Sequence, residues 1–580
     1  MCFSVRHAWM CTAHIVTTGI VSSLRMKSRY ARRYRQSGSD RLEKQPTDPA
    51  MAGRNIHVLR GQDTIARLCL LRNSCALAFR VVLELIGRHP LAVLPLPSLW
   101  FFVRYLPFWK SSDVLCQLGT PFTAENILLV PPVYCVVGRI PFWLTDTLLH
   151  GVSPDVFAAQ HPSLAAVYAL IALQQAGLWF ALRYFVVTLP ASPTGRGVAT
   201  ILLTSIASLY SFAYTAGAEA TTAITWFTVF GAGLRILDGR ATWKTWSVYV
   251  LVLVLCIGSR HVSALLPSWL PVTALLLMLL DYFRRKGASD PSRLGKIAGI
   301  AVVLGIGVIG IENAIVAALC SRFGVMQRQM VGRTLCERVG SYLDHLSPVE
   351  KEKVRLRVSR ADDDPSLKLA IDSLIRVGTY YEGTNDVIAR AIGNTNMRGD
   401  RLEAEVDRTT LRAALRFYET LDPRLLTAIF KDVVRGFYPT NDQAIALTGP
   451  KATYYSVSDI AKEPESWAGI RALDFFKPEV ARATLQRALD DKYIRHWRFL
   501  PIAAWCVLFA AIGLWRLARG KLTPELALTA VCIFGIGLVV YIATCICNIT
   551  QPRYVLPLWV ATVAAGCVLI AGKGISGSQD

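Results

Sequence analysis

The sequence predicts an all-α, polytopic membrane protein with about 10–11 transmembrane helices and a mostly helical extracytoplasmic domain. Three observations predict it. Hydrophobic residues make up 53% of the 580-residue chain and charged residues only 18%, with a mean hydropathy of +0.38. Soluble domains carry more charge and shorter apolar runs. Here the apolar residues gather into runs approaching the roughly 20 residues that a helix needs to cross a bilayer. The charges gather between those runs, with 63 Lys and Arg against 41 Asp and Glu. In a soluble protein a net charge of +22 and a pI near 9.6 would point to nucleic acid. Here the cations lie where the positive-inside rule puts them. No nucleic-acid partner is expected, and attraction to anionic lipid of the bilayer is a secondary consequence.

In chain order, residues 1–89 read as a basic cytoplasmic tail carrying Arg25, Lys27, Arg29, Arg32, Arg33 and Arg35. The tail lacks a secretory hydrophobic core with a small-residue cleavage site, and Met51 is as good a start as Met1. Residues 90–319 read as an N-terminal membrane module with an acidic outer loop at 110–130. Residues 320–497 read as an extracytoplasmic, mostly helical domain, and residues 498–580 as C-terminal membrane helices. The apolar segments fall near 90–109, 131–150, 163–189, 197–217, 220–237, 245–258, 261–281, 297–319, 498–516, 525–547 and 553–571. In the long polar stretch, Val331 to Leu346, Ser366 to Val377 and Leu402 to Glu419 place apolar residues at helical spacing. Gly378, Gly393, Pro439 and Gly449-Pro450 separate the pieces.

Orientation follows from flanking charge. The tail, the stretch from Arg284-Arg285-Lys286 to Lys296, and the stretch from Arg516 to Lys521 belong on the cytoplasmic side. The Asp113 loop and the 320–497 stretch then share the outer face. Six apolar segments lie between the Asp113 loop and the basic 281–296 loop, where an odd number of crossings is required. One segment must therefore be re-entrant, surface-lying or fused to a neighbour. The short 245–258 piece and 131–150, interrupted by Arg139 and Pro141, are the leading suspects.

Fourteen cysteines form no disulfide framework. Cys135, Cys256, Cys506, Cys532 and Cys567 sit in apolar runs, where Cys acts as a small hydrophobe. Cys320 and Cys336 open the polar stretch and are able to pair if it is extracytoplasmic. No Cys/His spacing reads as a zinc site.

Ionisable groups inside or at the rim of a membrane are costly and are functional candidates by default. Asp113 follows the first span in Trp109-Lys110-Ser111-Ser112-Asp113, and the loop runs through Glu125 to Pro131-Pro132-Val133-Tyr134. A carboxylate there is suited to deprotonating a hydroxyl or to holding a divalent cation such as Mg or Mn beside a phosphate. Arg553-Tyr554 opens the last span. Arg offers a planar fork of donors for phosphate oxygens, and Tyr suits the interface. Either residue also serves as a plain interfacial anchor. Gly258-Ser259-Arg260-His261 reads as a tight turn or as a basic phosphate site. Glu219 opens an apolar helix, and Glu312 is expected to pair with a neighbouring span.

Together these features resemble the GT-C superfamily of integral-membrane glycosyltransferases, which includes protein O-mannosyltransferases and enzymes that move sugars from polyprenyl phosphates. Three places carry the likeness, in order, between residues 90 and 571. Asp113 followed by Pro131-Pro132-Val133-Tyr134 is similar to the family's acidic first loop and "PPLY" segment. Ala216-Gly217-Ala218-Glu219-Ala220, Leu234-Arg235-Ile236-Leu237 and Gly258-Ser259-Arg260-His261-Val262 are similar to its middle helices. Pro552-Arg553-Tyr554-Val555-Leu556-Pro557-Leu558 is similar to its "RYLLPL" late helix. The chain departs from the family at Asp113, which has no second acid at DxD spacing. The next acid is Glu125, so metal dependence is in doubt.

The resemblance implies a polyprenyl-phosphate-linked sugar donor and a glycan, lipid or protein acceptor entering from the aqueous face. It implies Asp113 as base, with Glu125 as the neighbouring acid, and inversion at the anomeric carbon. Arg553, with Tyr554, Arg260, His261 and Glu219, would hold the substrate. A bacterial inner membrane suits the basic tail and the lack of a eukaryotic retention signal. The rival expectations are a transporter or flippase and a non-catalytic scaffold of the same fold.

Overall fold

A computed structural model describes residues 76–109, 118, 132–151, 156, 163–285, 292–325, 331–361, 363–378, 399–438, 453, 477–495, 501–547 and 552–572. Residues 1–85 and 86–580 are separate compact units. The second makes the chain an all-α polytopic membrane protein.

Its membrane module contains α1 (Leu96–Arg104), β1 (Phe108–Trp109), α2 (Pro132–His150), α3 (Leu164–Thr188), α4 (Pro193–Ser205), α5 (Ala207–Ala213), β2 (Thr215–Ala216), α6 (Glu219–Leu237) and α7 (Trp243–Ile257). A 3-10 helix (His261–Ser268), α8 (Trp269–Arg285) and α9 (Ser292–Phe323) complete it. The polar stretch gives α10 (Val331–Asp344), α11 (Pro348–Val358), α12 (Pro365–Val377), α13 (Gly399–Glu419), α14 (Pro423–Arg435), α15 (Pro478–Asp490) and α16 (Lys492–Arg495). The chain ends with α17 (Ile502–Ala518), α18 (Pro524–Cys547), a 3-10 helix (Pro552–Val555) and α19 (Leu556–Ala571).

Each apolar segment of the sequence carries helix. Among the described residues, five helices are long and apolar enough to cross a membrane: α3, α6, the continuous Val262–Arg284 run, α9 and α18. The α4–α5 pair makes a sixth if its two arms count as one span. Pro90–Arg104, α7, α17 and α19 are shorter apolar helices. At 1.5 Å per residue, 15–17 residues reach only about 22–26 Å, short of a hydrocarbon core of about 30 Å.

Neither suspect is among the candidate spans: α7 is one of the shorter apolar helices, and α2, continuous from Pro132 to His150 despite Pro141, is not one of the five. The break falls in 197–217, where α4 and α5 meet at 64°. Ile206 leaves the helical region there, at φ −90° and ψ 86°. The preceding hydroxyls turn back on the α4 carbonyls: Thr204 donates to Ile201 O at 2.9 Å and Ser205 to Leu202 O at 2.7 Å. Such back-bonding competes with continuation of a helix.

The core is built on α19, which packs on α18, α17, α6 and α4, while α6 packs on α3 and α7. The expected helices of the polar stretch form, and Gly378 ends α12 at φ 72°, a conformation that favours glycine. Two buried aspartates are among the residues that tie that stretch back to the membrane helices. Arg338 and Asp432 form a buried ion pair at 2.6 Å, and the Tyr541 hydroxyl of α18 donates to Asp432 O at 2.8 Å. Asp491, just after α15, accepts from Tyr105 Oη at 2.6 Å and Trp100 Nε1 at 3.0 Å, and pairs with Arg104 at 3.2 Å. Cys320 and Cys336, able to pair by the sequence, are both free. Cys320 packs with Cys135, while Cys336 lies in the main core facing Thr410 O. Helix α9 and helix α10 carry the two thiols into separate clusters.

Candidate functional site

Several segments meet at a buried polar junction, and backbone pairing sets it up. β1 lies parallel to β2, with Phe108 opposite Thr215 and Trp109 opposite Ala216. An aromatic cluster of Phe101, Tyr105, Phe108 and Tyr214 packs around this pairing. The Trp109 amide also donates to Thr453 Oγ1 at 2.8 Å. β2 runs directly into Gly217, Ala218 and Glu219.

The first turn of α2 is stitched to the same place. The Val133 amide donates to Gly258 O at 2.9 Å. The Tyr134 hydroxyl accepts from the Gly217 amide at 3.0 Å and donates to Gln174 Oε1 at 3.2 Å. Gln174 Nε2 in turn donates to Ala213 O at 3.1 Å and Thr215 O at 2.9 Å. Its neighbour Gln175 donates to Tyr210 O at 2.9 Å and accepts from Ser98 Oγ at 2.6 Å. Buried amides satisfied this fully hold the backbone around β2 in place.

Glu219 is the first residue of α6, where the helix dipole favours a negative charge. It pairs with Arg260 at 3.3 Å; the two residues are 4% and 9% exposed, so the pair is inside the protein. Arg260 reaches it because Gly258-Ser259 turns the chain between α7 and the 3-10 helix His261–Ser268. The tetrapeptide therefore forms the turn, with Arg260 directed at Glu219. Glu312 of α9 completes the junction. It is 6% exposed, and among the described residues neither carboxylate oxygen has a hydrogen-bond partner. The expected pairing of Glu312 with a neighbouring span is thus not seen. A Cβ at position 258 would stand 2.2 Å from Val133 Cγ2 and 2.7 Å from Glu312 Oε2, so only glycine admits this approach.

Glu219 and Arg260 are thus brought together with Val133-Tyr134. His261 opens the 3-10 helix, but its side chain lies outside the described residues, as do Asp113 and Glu125 entirely. The loop carrying those two acids leaves the described structure at Trp109 and returns at Pro132, both ends resting on the junction. Arg553 lies in the 3-10 helix Pro552–Val555, with its side chain outside the described residues, and Tyr554 is half-buried. That 3-10 helix and His261–Ser268 both pack against α18. Among the described residues no group of three His, Cys, Asp or Glu side chains is placed to hold a metal ion.

Gln174 and Gln175 are not among the residues that stand out in the sequence. Their signal is two adjacent amides inside a 25-residue apolar helix. The arrangement offers a guanidinium, two carboxylates, a phenol and a turn of small residues inside a membrane protein. It is equipped to hold a polar or anionic group and to handle protons. Compared with known protein families, curated proteins and solved structures, the chain matches none.

Proposed function

We propose that this protein is a membrane glycosyltransferase that moves a sugar from a polyprenyl-phosphate donor to an acceptor on the extracytoplasmic face. One observation carries the reading. Val133-Tyr134, Gly217-Ala218-Glu219 and Gly258-Ser259-Arg260, remote in sequence and each part of a GT-C-like motif, converge on one buried junction. Asp113, four residues beyond the pairing of Trp109 with Ala216, takes the proton of the acceptor hydroxyl. The acceptor oxygen then attacks the anomeric carbon as the bond to the phosphate oxygen breaks, with inversion. Arg553 meets the charge developing on the phosphate, and Arg260, held by Glu219, adds a fixed positive charge. A divalent cation enters the reading only through Asp113, and no step is routed through it. The setting is a plasma membrane, with residues 320–497 outside.

The test is turnover of labelled polyprenyl-phosphate sugars by the full chain in nanodiscs. Asp113→Asn is expected to abolish transfer while thermal unfolding and membrane insertion stay unchanged. Full transfer by that variant overturns the reading. The second reading, transport, is favoured by Glu312, a buried carboxylate within a candidate span. It predicts the opposite pattern: loss with Glu312→Gln and little effect of Asp113→Asn.

A further inference from the structure

We propose that α14 is an interfacial helix whose outward apolar stripe lies in the headgroup–acyl boundary of the bilayer beside α17 and α18. The helix has three faces. Leu425, Ile429 and Asp432 are buried against the protein. Leu426 and Phe430, one position further round and four residues apart, are 47% and 66% exposed. Leu421 and Tyr438 extend this apolar surface at either end, both also exposed. Arg424, Lys431 and Arg435 occupy the third face. A helix that met only water would carry polar residues at positions 426 and 430. Apolar, cationic and packed faces on one helix are the pattern of a helix lying in a membrane interface.

Its attachments put α14 at the right depth. The Tyr541 hydroxyl, bonded to Asp432 O, sits six residues before the end of α18, about 9 Å along the axis at the α-helical rise. Gly436, at the end of α14, rests against the Tyr541 ring so closely that a Cβ there would come within 2.3 Å. The Ala503 amide in the first turn of α17 donates to Phe437 O at 3.1 Å. Four residues further along α17, Val507 is 70% exposed on an apolar helix. The C-terminal end of α14 is therefore fixed at the ends of two apolar membrane helices. Arg424 pairs with Glu350 and Arg435 with Asp432, and Lys431, exposed on the same face, stands where an anionic headgroup would meet it, which favours lipid over a second copy of the chain as the occupant.

The experiment places a diazirine-bearing amino acid at position 430, 507 or 352 of the full chain. Each protein is reconstituted in phosphatidylcholine–phosphatidylglycerol vesicles, illuminated and read by mass spectrometry. Position 507 is the lipid-facing reference, and Glu352, exposed on α11, the aqueous one. Lipid adducts at 430 are expected to match those at 507 and to exceed those at 352 by about tenfold. A yield at 430 equal to that at 352, or adducts at 430 that join two copies of the chain, overturns the proposal.

Discussion

Substituting Gly258→Ala probes the tightest point of the junction. The added methyl would lie 2.2 Å from Val133 Cγ2, 2.8 Å from Val133 Cβ and 2.7 Å from Glu312 Oε2. Carbon atoms settle at about 3.5–4.0 Å, so the closest approach overlaps by more than about 1 Å. Glu312 is able to swing its carboxylate aside. Val133 Cβ moves only with its backbone, and that backbone donates the hydrogen bond to Gly258 O. Overpacking of this kind costs about 1–3 kcal/mol, and losing the bond adds roughly 1 kcal/mol. Val133→Ala alone removes two half-buried methyl groups and costs about 1 kcal/mol. In the double variant the worst contact is gone, so Val133→Ala should stabilise the Gly258→Ala protein. The reversal of sign is a favourable coupling within the roughly 0.5–3 kcal/mol typical of touching residues. Unfolding of the purified chain by SDS titration in mixed micelles measures all four corners of the cycle. Additive costs, or a neutral Gly258→Ala, would mean that the turn relaxes freely and that α2, α9 and Gly258 are not held together as described.

Two further outcomes are expected. Asp491 is buried and engages Tyr105, Trp100, Arg104 and the Tyr493 amide at 2.8 Å, so Asp491→Ala, which strands the buried Tyr105 hydroxyl, should cost about 1–3 kcal/mol. Hydrogen exchange should then rise across both 478–495 and 96–104, and unchanged protection would refute the latch. Asp364 caps α12 through the Leu367 amide at 2.8 Å; that bond, with the Arg412 guanidinium, holds its carboxyl below the usual carboxylate range. The native value is depressed, so this contribution is complete above about pH 4 and fades as pH falls through the lowered native value. Asp364→Asn keeps the cap but not the titration. The protection of α12 amides, their exchange relative to the intrinsic rate at each pH, should therefore lose its acid dependence below about pH 4, and an unaltered profile would assign that dependence to another group.

Much of the membrane architecture is legible because hydropathy marks each apolar segment whatever its neighbours do. The break at Ile206 is not, because a window averages over two residues and the cause is local hydroxyl bonding at Thr204 and Ser205. Arg139 and Pro141 look disruptive in sequence, yet α2 accommodates both. Glu219 and Arg260 stand out as charges in apolar surroundings, but their pairing needs the fold, since α7 and most of α6 lie between them in the chain. Gln174 and Gln175 escape notice because they carry no charge, and ionisable groups are what mark candidate sites in apolar surroundings. That Cys320 and Cys336 are both free is not legible, because nearness in sequence says nothing of where α9 ends and α10 points.

The Asp491 latch also sets a timetable. Tyr105 and the carboxylate that receives its hydroxyl are 386 residues apart. At synthesis rates of roughly 5–20 residues per second, Tyr105 precedes its partner by about 20–80 s. Throughout that interval Trp100, Arg104 and Tyr105 must be held by lipid, water or the insertion machinery. A nascent chain stopped before residue 491 leaves the Tyr105 hydroxyl, buried in the finished protein, without its acceptor, giving quality control a ready mark of incompleteness.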